Sequence, residues 1–89
     1  MRVIKRDGRV QELEIEKIRL SILNASIDSK NIINESDLKI LSSEIMKRLK
    51  DMRKADEQTS SYEITALTLS VLSHEGFEDI AKQYIRFNK

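Results

Sequence analysis

The fold of this chain is decided by the stretch Val3-Ile4-Lys5-Arg6-Asp7-Gly8-Arg9-Val10, which leads into Leu13-Glu14-Ile15-Glu16-Lys17-Ile18. Two short β-prone runs flank the Asp-Gly pair, and this pair favours a two-residue type I′ turn because both central positions of that turn need positive φ. The register that follows pairs Arg6 with Arg9, Lys5 with Val10 and Val3 with Glu12. The stretch therefore predicts a β-hairpin followed at once by an amphipathic helix.

The charges of this hairpin are poorly explained by stability. Like charges directly across a turn repel each other and contribute nothing to an apolar core. Lys5 and Val3 lie on one face of the first strand, where a cation can contact phosphate while the apolar side chain packs on a base or sugar. Lys17 falls early in the following helix, where free backbone N–H groups attract anions. Ordinary solubilising charge is the alternative for these residues and for Arg6 and Arg9.

The composition describes one small globular domain. We expect the 89 residues to form a single domain, residues 1–89, because a chain of this length buries only a modest core. The net charge of +1, with 35% charged residues, is not that of a polycation. Cysteine is absent, which excludes a disulfide framework, a thiolate zinc site and an iron–sulfur cluster within the sequence. Charge begins too early for a signal peptide and no apolar run approaches ~20 residues, so we expect a cytoplasmic, unanchored protein.

After residue 14 the sequence reads in helical periods. The first helix should end near Ser26–Ser29, and the second should begin at the Asn34–Asp37 cluster, which supplies N-cap oxygens. Ser60 and Glu63 form a capping box that opens the third helix, and Gly76 should end it. The predicted apolar faces are Ile15, Ile18, Ile22 and Ala25; then Leu38, Leu41, Ile45, Leu49 and Met52; then Ile64, Leu67, Val71 and Leu72; and finally Phe77, Ile80, Ala81, Tyr84 and Ile85.

These elements predict an α+β fold. Single apolar stripes on four short helices favour a four-helix bundle, and the hairpin must be covered on one face. A lone hairpin is marginal in water, so the residues just before Ser60 are candidates for a third strand, and the cap is a hairpin or a three-stranded sheet. The segment Arg53–Thr59 has no apolar anchor and is predicted as the main surface loop.

A catalytic site is hard to build from these residues. The single histidine, His74, lies just before a helix end, where a surface role suffices. No Ser-His-Asp or Cys-His combination is available, and no spacing of Asp and His indicates a metal site. We predict that the chain is not an enzyme and holds no metal through a dedicated cluster.

The two quoted stretches together resemble the ATP-cone, the regulatory nucleotide-binding domain of many ribonucleotide reductases and of the repressor that controls reductase genes. The V-x-K-R-D-G-R core and the following Lys17-Ile18 are specific to that pattern, and Ile80–Phe87 is similar to the family's closing VAxxYxxF/Y helix. The similarity covers nearly the whole chain. It implies a four-helix bundle with a small sheet as a lid.

The resemblance also implies a ligand and its site. ATP or dATP, with or without Mg²⁺, would bind under the lid as an allosteric signal, with Lys5 paired to phosphate and with Gln11 and Glu14 near the base. The partner would be a ribonucleotide reductase subunit or a second copy of the chain. The residues carried over by matching positions are Val3, Lys5, Arg6, Gln11, Glu14, Lys17, Ile18, Ser61, Ile64 and Thr65.

Two other hypotheses remain open at this point. Family members often carry histidine or glutamine where this chain has Thr65, so a degenerate cone that acts as a protein-interaction or oligomerisation module without nucleotide is the first. The second is nucleic-acid binding by the basic run Lys47-Arg48, Lys50 and Arg53-Lys54. Acidic residues interrupt that run, and a solvated helix face explains it better.

Overall fold

The computed structural model describes residues 1–52 and 58–87, and the side chain of Phe87 is not part of the description. A three-stranded mixed sheet caps four helices, which confirms the predicted α+β fold. Helices α1 and α3 each pack against both α2 and α4, so the four helices form a bundle. The elements are β1 (Arg2–Ile4), β2 (Val10–Glu12), α1 (Ile15–Asp28), α2 (Glu35–Met52), β3 (Gln58–Ser60), α3 (Ser61–His74) and α4 (Glu78–Phe87).

Strand β1 is the central strand of the sheet, in the order β2-β1-β3. It pairs antiparallel with β2 and parallel with β3, with Val3 opposite Thr59. The third strand is thus present, and the predicted loop is wrong at Gln58 and Thr59; residues 53–57 lie outside the description. Thr59 is buried and its hydroxyl donates a 2.8 Å hydrogen bond to Glu63, which gives this polar strand an anchor that apolar periodicity does not reveal.

The hairpin register differs from the prediction by one residue. Val3 pairs with Gln11 and Ile4 with Val10, because the loop has three residues instead of two. The Gly8 N–H donates to the Lys5 carbonyl and the Lys5 N–H donates to the Arg9 carbonyl. Among the loop residues Arg6, Asp7 and Gly8, positive φ occurs at Gly8, with φ 88°. This is a three-residue hairpin loop, in which glycine alone occupies the left-handed position. Arg6 and Arg9 are therefore not paired across the turn.

The side chain of Asp7 helps to hold the conformation of the loop. Its carboxylate accepts hydrogen bonds from the backbone N–H of Arg9 at 3.1 Å and from the Arg9 guanidinium at 2.6 Å. Both charged groups are exposed, so this pair contributes little to stability and mainly sets the loop geometry.

The core lies between the four helices and follows most of the predicted apolar faces. Met52 and Ile85, which were predicted to be apolar contacts, are instead exposed, and Ile15 is only half-buried. Within the described residues, no helix has the length and apolar character that a membrane crossing requires. The buried apolar side chains of the bundle are Ile18, Ile22, Ala25, Ile33, Leu38, Leu41, Ile45, Leu49, Val71, Leu72, Ile80, Ala81 and Tyr84.

Two helices end in the same way but with different residues. After α3, Gly76 has φ 86°, its N–H bonds the Ser73 carbonyl and the Phe77 N–H bonds the Leu72 carbonyl, as in a Schellman motif. After α1, Lys30 takes the equivalent position at φ 61°. Its N–H bonds the Ile27 carbonyl, and the next N–H bonds the Ser26 carbonyl. A lysine therefore occupies a conformation that favours glycine.

We expect Lys30→Gly to stabilise the protein. Relief of the left-handed conformation contributes about 1–2 kcal/mol, and the greater freedom of glycine in the unfolded chain offsets about 0.5–1 kcal/mol. Urea unfolding should show a net gain of about 0.5–1 kcal/mol. The control is Gly76→Ala, where a Cβ meets no atom within 4 Å, so that only the backbone term operates and the free energy of unfolding should fall by about 1 kcal/mol. Equal stability of Lys30→Gly and the parent would contradict this account.

Candidate functional site

A pocket of about 130 Å³ lies beneath the sheet, between the first turns of α1 and α3. The sheet forms its roof through Val3 and Gln11, and Tyr84 of α4 lines it from the bundle. Since α1 begins at Ile15 and α3 at Ser61, two helix N-termini meet at the same cavity. Helix N-termini carry partial positive charge and unpaired N–H groups, so this geometry favours an anionic ligand.

Nine of the ten residues predicted for the site line this pocket. The exception is Arg6, whose guanidinium lies 5.4 Å from the centre of the Tyr62 ring. The role of each residue toward a ligand stays a prediction, but the structure brings together side chains from four elements or their flanks. The nine are Val3, Lys5, Gln11, Glu14, Lys17, Ile18, Ser61, Ile64 and Thr65.

The observed hairpin register places Gln11 on the pocket side of the sheet. Residues directly opposite each other on antiparallel strands project to the same face, and Gln11 is opposite the buried Val3. In the predicted register Gln11 would have faced Ile4, which is exposed and absent from the pocket lining. The three-residue loop thus places the Gln11 side chain on the face of β2 that Val3 occupies on β1.

Part of the pocket lining is apolar. Val3, Ile18 and Tyr84 are buried, and the half-buried Leu13 and Ile64 pack against the core cluster to which Ile18 and Tyr84 belong. Ligand pockets typically combine such walls with a few polar groups that set orientation. An apolar lining of this kind can accept a flat apolar surface such as a base.

Two lysines on the pocket lining have no carboxylate partner in the part of the chain that the structure describes. Within residues 1–52 and 58–87, neither Lys5 nor Lys17 forms an ion pair. Glu12 is engaged by the amino terminus at 3.1 Å, which leaves Glu14 as the remaining carboxylate on the lining. The cations are therefore available to an external anion.

The hydroxyl groups at the start of α3 complete the polar side. Ser60 caps the helix by accepting a 3.1 Å hydrogen bond from the Glu63 N–H, as the predicted capping box requires. Thr65 donates to the Ser61 carbonyl at 2.9 Å. The Ser61 hydroxyl itself is buried and has no hydrogen-bond partner in the described part of the chain. A buried hydroxyl without a partner is costly, so a ligand atom in the pocket would satisfy it.

Four lining residues were not predicted: Glu12, Leu13, Ser21 and Tyr84. Ser21 lies one helical turn after Lys17, so the helical period could have indicated it. Tyr84 was assigned to the core, and it is buried there while also lining the pocket. Glu12 and Leu13 lie between the predicted site residues Gln11 and Glu14 in the sequence, so their presence on the lining could have been expected.

The basic face of α2 is partly neutralised within the helix. The Arg48 guanidinium donates a 2.9 Å hydrogen bond to Glu44 and holds the pKa of that carboxyl below its usual value. Lys47 and Lys50 are exposed. Arg53 and Lys54 lie outside the described residues. The face is that of a solvated helix with an i,i+4 pair.

Comparison with known proteins supports the resemblance seen in the sequence. The model of the ATP cone domain family matches residues 1–89. A vitamin B12-dependent ribonucleoside-diphosphate reductase of Thermoplasma acidophilum is 33% identical over 88 residues, which is 98% of this chain. The chain spans 11% of the length of that reductase.

We expect Tyr84 to lower the free energy of unfolding as the pH rises into the alkaline range. Burial raises the pKa of Tyr84 above its ordinary value of 10.0, although hydrogen bonding with Thr68 and Thr65 opposes the change. Above about pH 10 the unfolded state therefore loses its tyrosine proton first, and the free energy of unfolding falls by up to about 1.4 kcal/mol per pH unit. Urea unfolding at about pH 8 and about pH 11 should show a steeper loss in the parent than in Tyr84→Phe. Parallel losses in the two proteins would refute this role of Tyr84.

Proposed function

The chain belongs to the ATP-cone family, and we propose that it binds ATP or dATP in the pocket beneath the sheet as an allosteric sensor of adenine nucleotides. One observation carries the proposal: Lys5 and Lys17, which form no ion pair with any described residue, line the same pocket as the buried apolar side chains Val3, Ile18 and Tyr84. A nucleotide has the same division into a flat base and an anionic phosphate chain. The role is regulatory and non-catalytic, as the ATP-cone family implies.

The pocket dimensions favour one orientation of the nucleotide. A volume of about 130 Å³ is below the roughly 300–1,000 Å³ of typical ligand pockets, so we expect the base to enter and the phosphates to remain near the mouth. The base would pack on Val3, Ile18 and Tyr84. The phosphates would lie near Lys5 and Lys17. Mg²⁺ would enter only with the triphosphate.

The proposed target of the signal is a ribonucleotide reductase subunit or a second copy of the chain. The Thermoplasma acidophilum reductase contains a region similar to nearly all of this chain within a far longer protein. We accordingly propose that residues 1–89 act as one domain in the cytoplasm. Nucleotide binding would change how this domain associates with the partner.

We expect ATP and dATP to raise the melting temperature. Ligand at about one hundred times its dissociation constant stabilises the folded state by roughly 2.7 kcal/mol, which corresponds to roughly 10–20 °C for a domain of this size. Differential scanning fluorimetry with ATP, dATP and GTP, each with and without Mg²⁺, would measure the effect. No shift with any adenine nucleotide would contradict the proposal. Association that is insensitive to nucleotide in size-exclusion chromatography would then favour the interaction-module alternative.

We expect Lys5→Ala to weaken nucleotide binding about tenfold or more, because a hydrogen bond to a charged group contributes about 1.5–3 kcal/mol. The melting temperature of the free protein should change little, since Lys5 makes no ion pair within the described ranges. Lys47→Ala is the matched control, because Lys47 is an exposed lysine of α2 that does not line the pocket. Isothermal titration calorimetry that gives equal dissociation constants for the two variants would show that Lys5 is only surface charge.

A further inference from the structure

A cation–π contact joins the hairpin to the first turn of α3. The Arg6 guanidinium lies 5.4 Å from the centre of the Tyr62 ring. Arg6 is in the loop between β1 and β2, and Tyr62 is the second residue of α3. Both side chains are exposed, and neither lines the pocket. The core therefore gives no reason for an aromatic residue at this position.

Along the chain, Arg6 and Tyr62 each come directly after a residue that lines the pocket. The parallel pairing of β1 with β3 ends at Ile4 opposite Ser60. The next residue on each segment, Lys5 and Ser61, lines the pocket. The residue after that is Arg6 on one segment and Tyr62 on the other. Lys5 and Ser61 are thus held between the last strand pair and the cation–π contact.

We propose that Tyr62 is a positioning residue for nucleotide binding, which holds the hairpin over the pocket through Arg6 and so places Lys5 opposite Ser61. The inference rests on the function proposed above. When a ligand binds only one conformation, its apparent dissociation constant rises as the population of that conformation falls. Loss of the contact lowers the population of the conformation in which the hairpin lies over the pocket, and an exposed cation–π contact changes such an equilibrium by about two- to fivefold.

The test compares Tyr62→Leu, which removes the aromatic face, with Tyr62→Phe, which keeps it. The expected dissociation constants for ATP and dATP rise about two- to fivefold in the leucine variant, mainly through slower association because fewer free molecules hold the binding conformation, and stay at the parent value in the phenylalanine variant. Calorimetry and stopped-flow measurements supply the constants and rates. The rescue by phenylalanine separates the ring face from the phenolic hydroxyl.

A second measurement needs no ligand. In the free protein, the Arg6 side-chain protons should have upfield NMR shifts from the Tyr62 ring, retained in Tyr62→Phe and lost in Tyr62→Leu. Absence of these shifts from the parent protein would overturn the contact itself.

The outcomes separate the two proposals. If the parent binds no adenine nucleotide, the proposed function fails and this inference fails with it. If the parent binds but Tyr62→Leu binds as well or better, the positioning role is overturned while the proposed function stands. Such a result would mean that Arg6 leaves the ring when the nucleotide binds. Weaker binding in Tyr62→Phe as well would assign the effect to the hydroxyl and overturn the role of the ring.

Discussion

The structure depends on strand β1 being paired along both of its edges. One edge is joined to β2 by a short hairpin, and the other to β3, which comes after α1 and α2 in the chain. This double pairing turns a marginal hairpin into a sheet that can cover the bundle. Val3 and Thr59, which are opposite each other on the paired strands, are both buried. The double pairing also places the first residues of α1 and α3 beneath the same sheet. The pocket forms in the space between the sheet and the first turns of these two helices.

The helices were the most predictable part of the molecule. Their apolar periods, the caps at Asn34 and Ser60, and Gly76 are local features, and each appears in the structure where the residues indicate it. Met52 and Ile85 continue the apolar period of their helices but fall close to helix ends, and they are exposed there. Periodicity identifies a face, whereas burial also requires a neighbouring element to cover it.

The sheet was less predictable because its details are decided by a single residue or by distant contacts. The hairpin loop has two or three residues according to whether Asp7 takes positive φ, and the local sequence permits both. Strand β3 has the polar sequence Gln58-Thr59-Ser60, which has no apolar alternation to predict a strand. Its strand conformation is explained by its pairing with β1. Val3, Lys5 and Lys17 were indicated by their positions on the strand and in the first helical turn, whereas the other site residues came from resemblance to a family. Their spatial proximity depends on β1–β3 pairing, which no local pattern specifies.

The parallel pairing of β1 with β3 affects the folding kinetics. It joins Val3 to Thr59 across two intervening helices, and contacts between positions so distant in sequence carry a large loop-closure cost. The helical hairpin of α1 and α2 can form from nearby residues, whereas the sheet must wait until the chain through β3 is in place. A molecule that binds beneath the sheet then recognises only a nearly complete native state. Its effect should fall chiefly on the unfolding rate, with little acceleration of refolding.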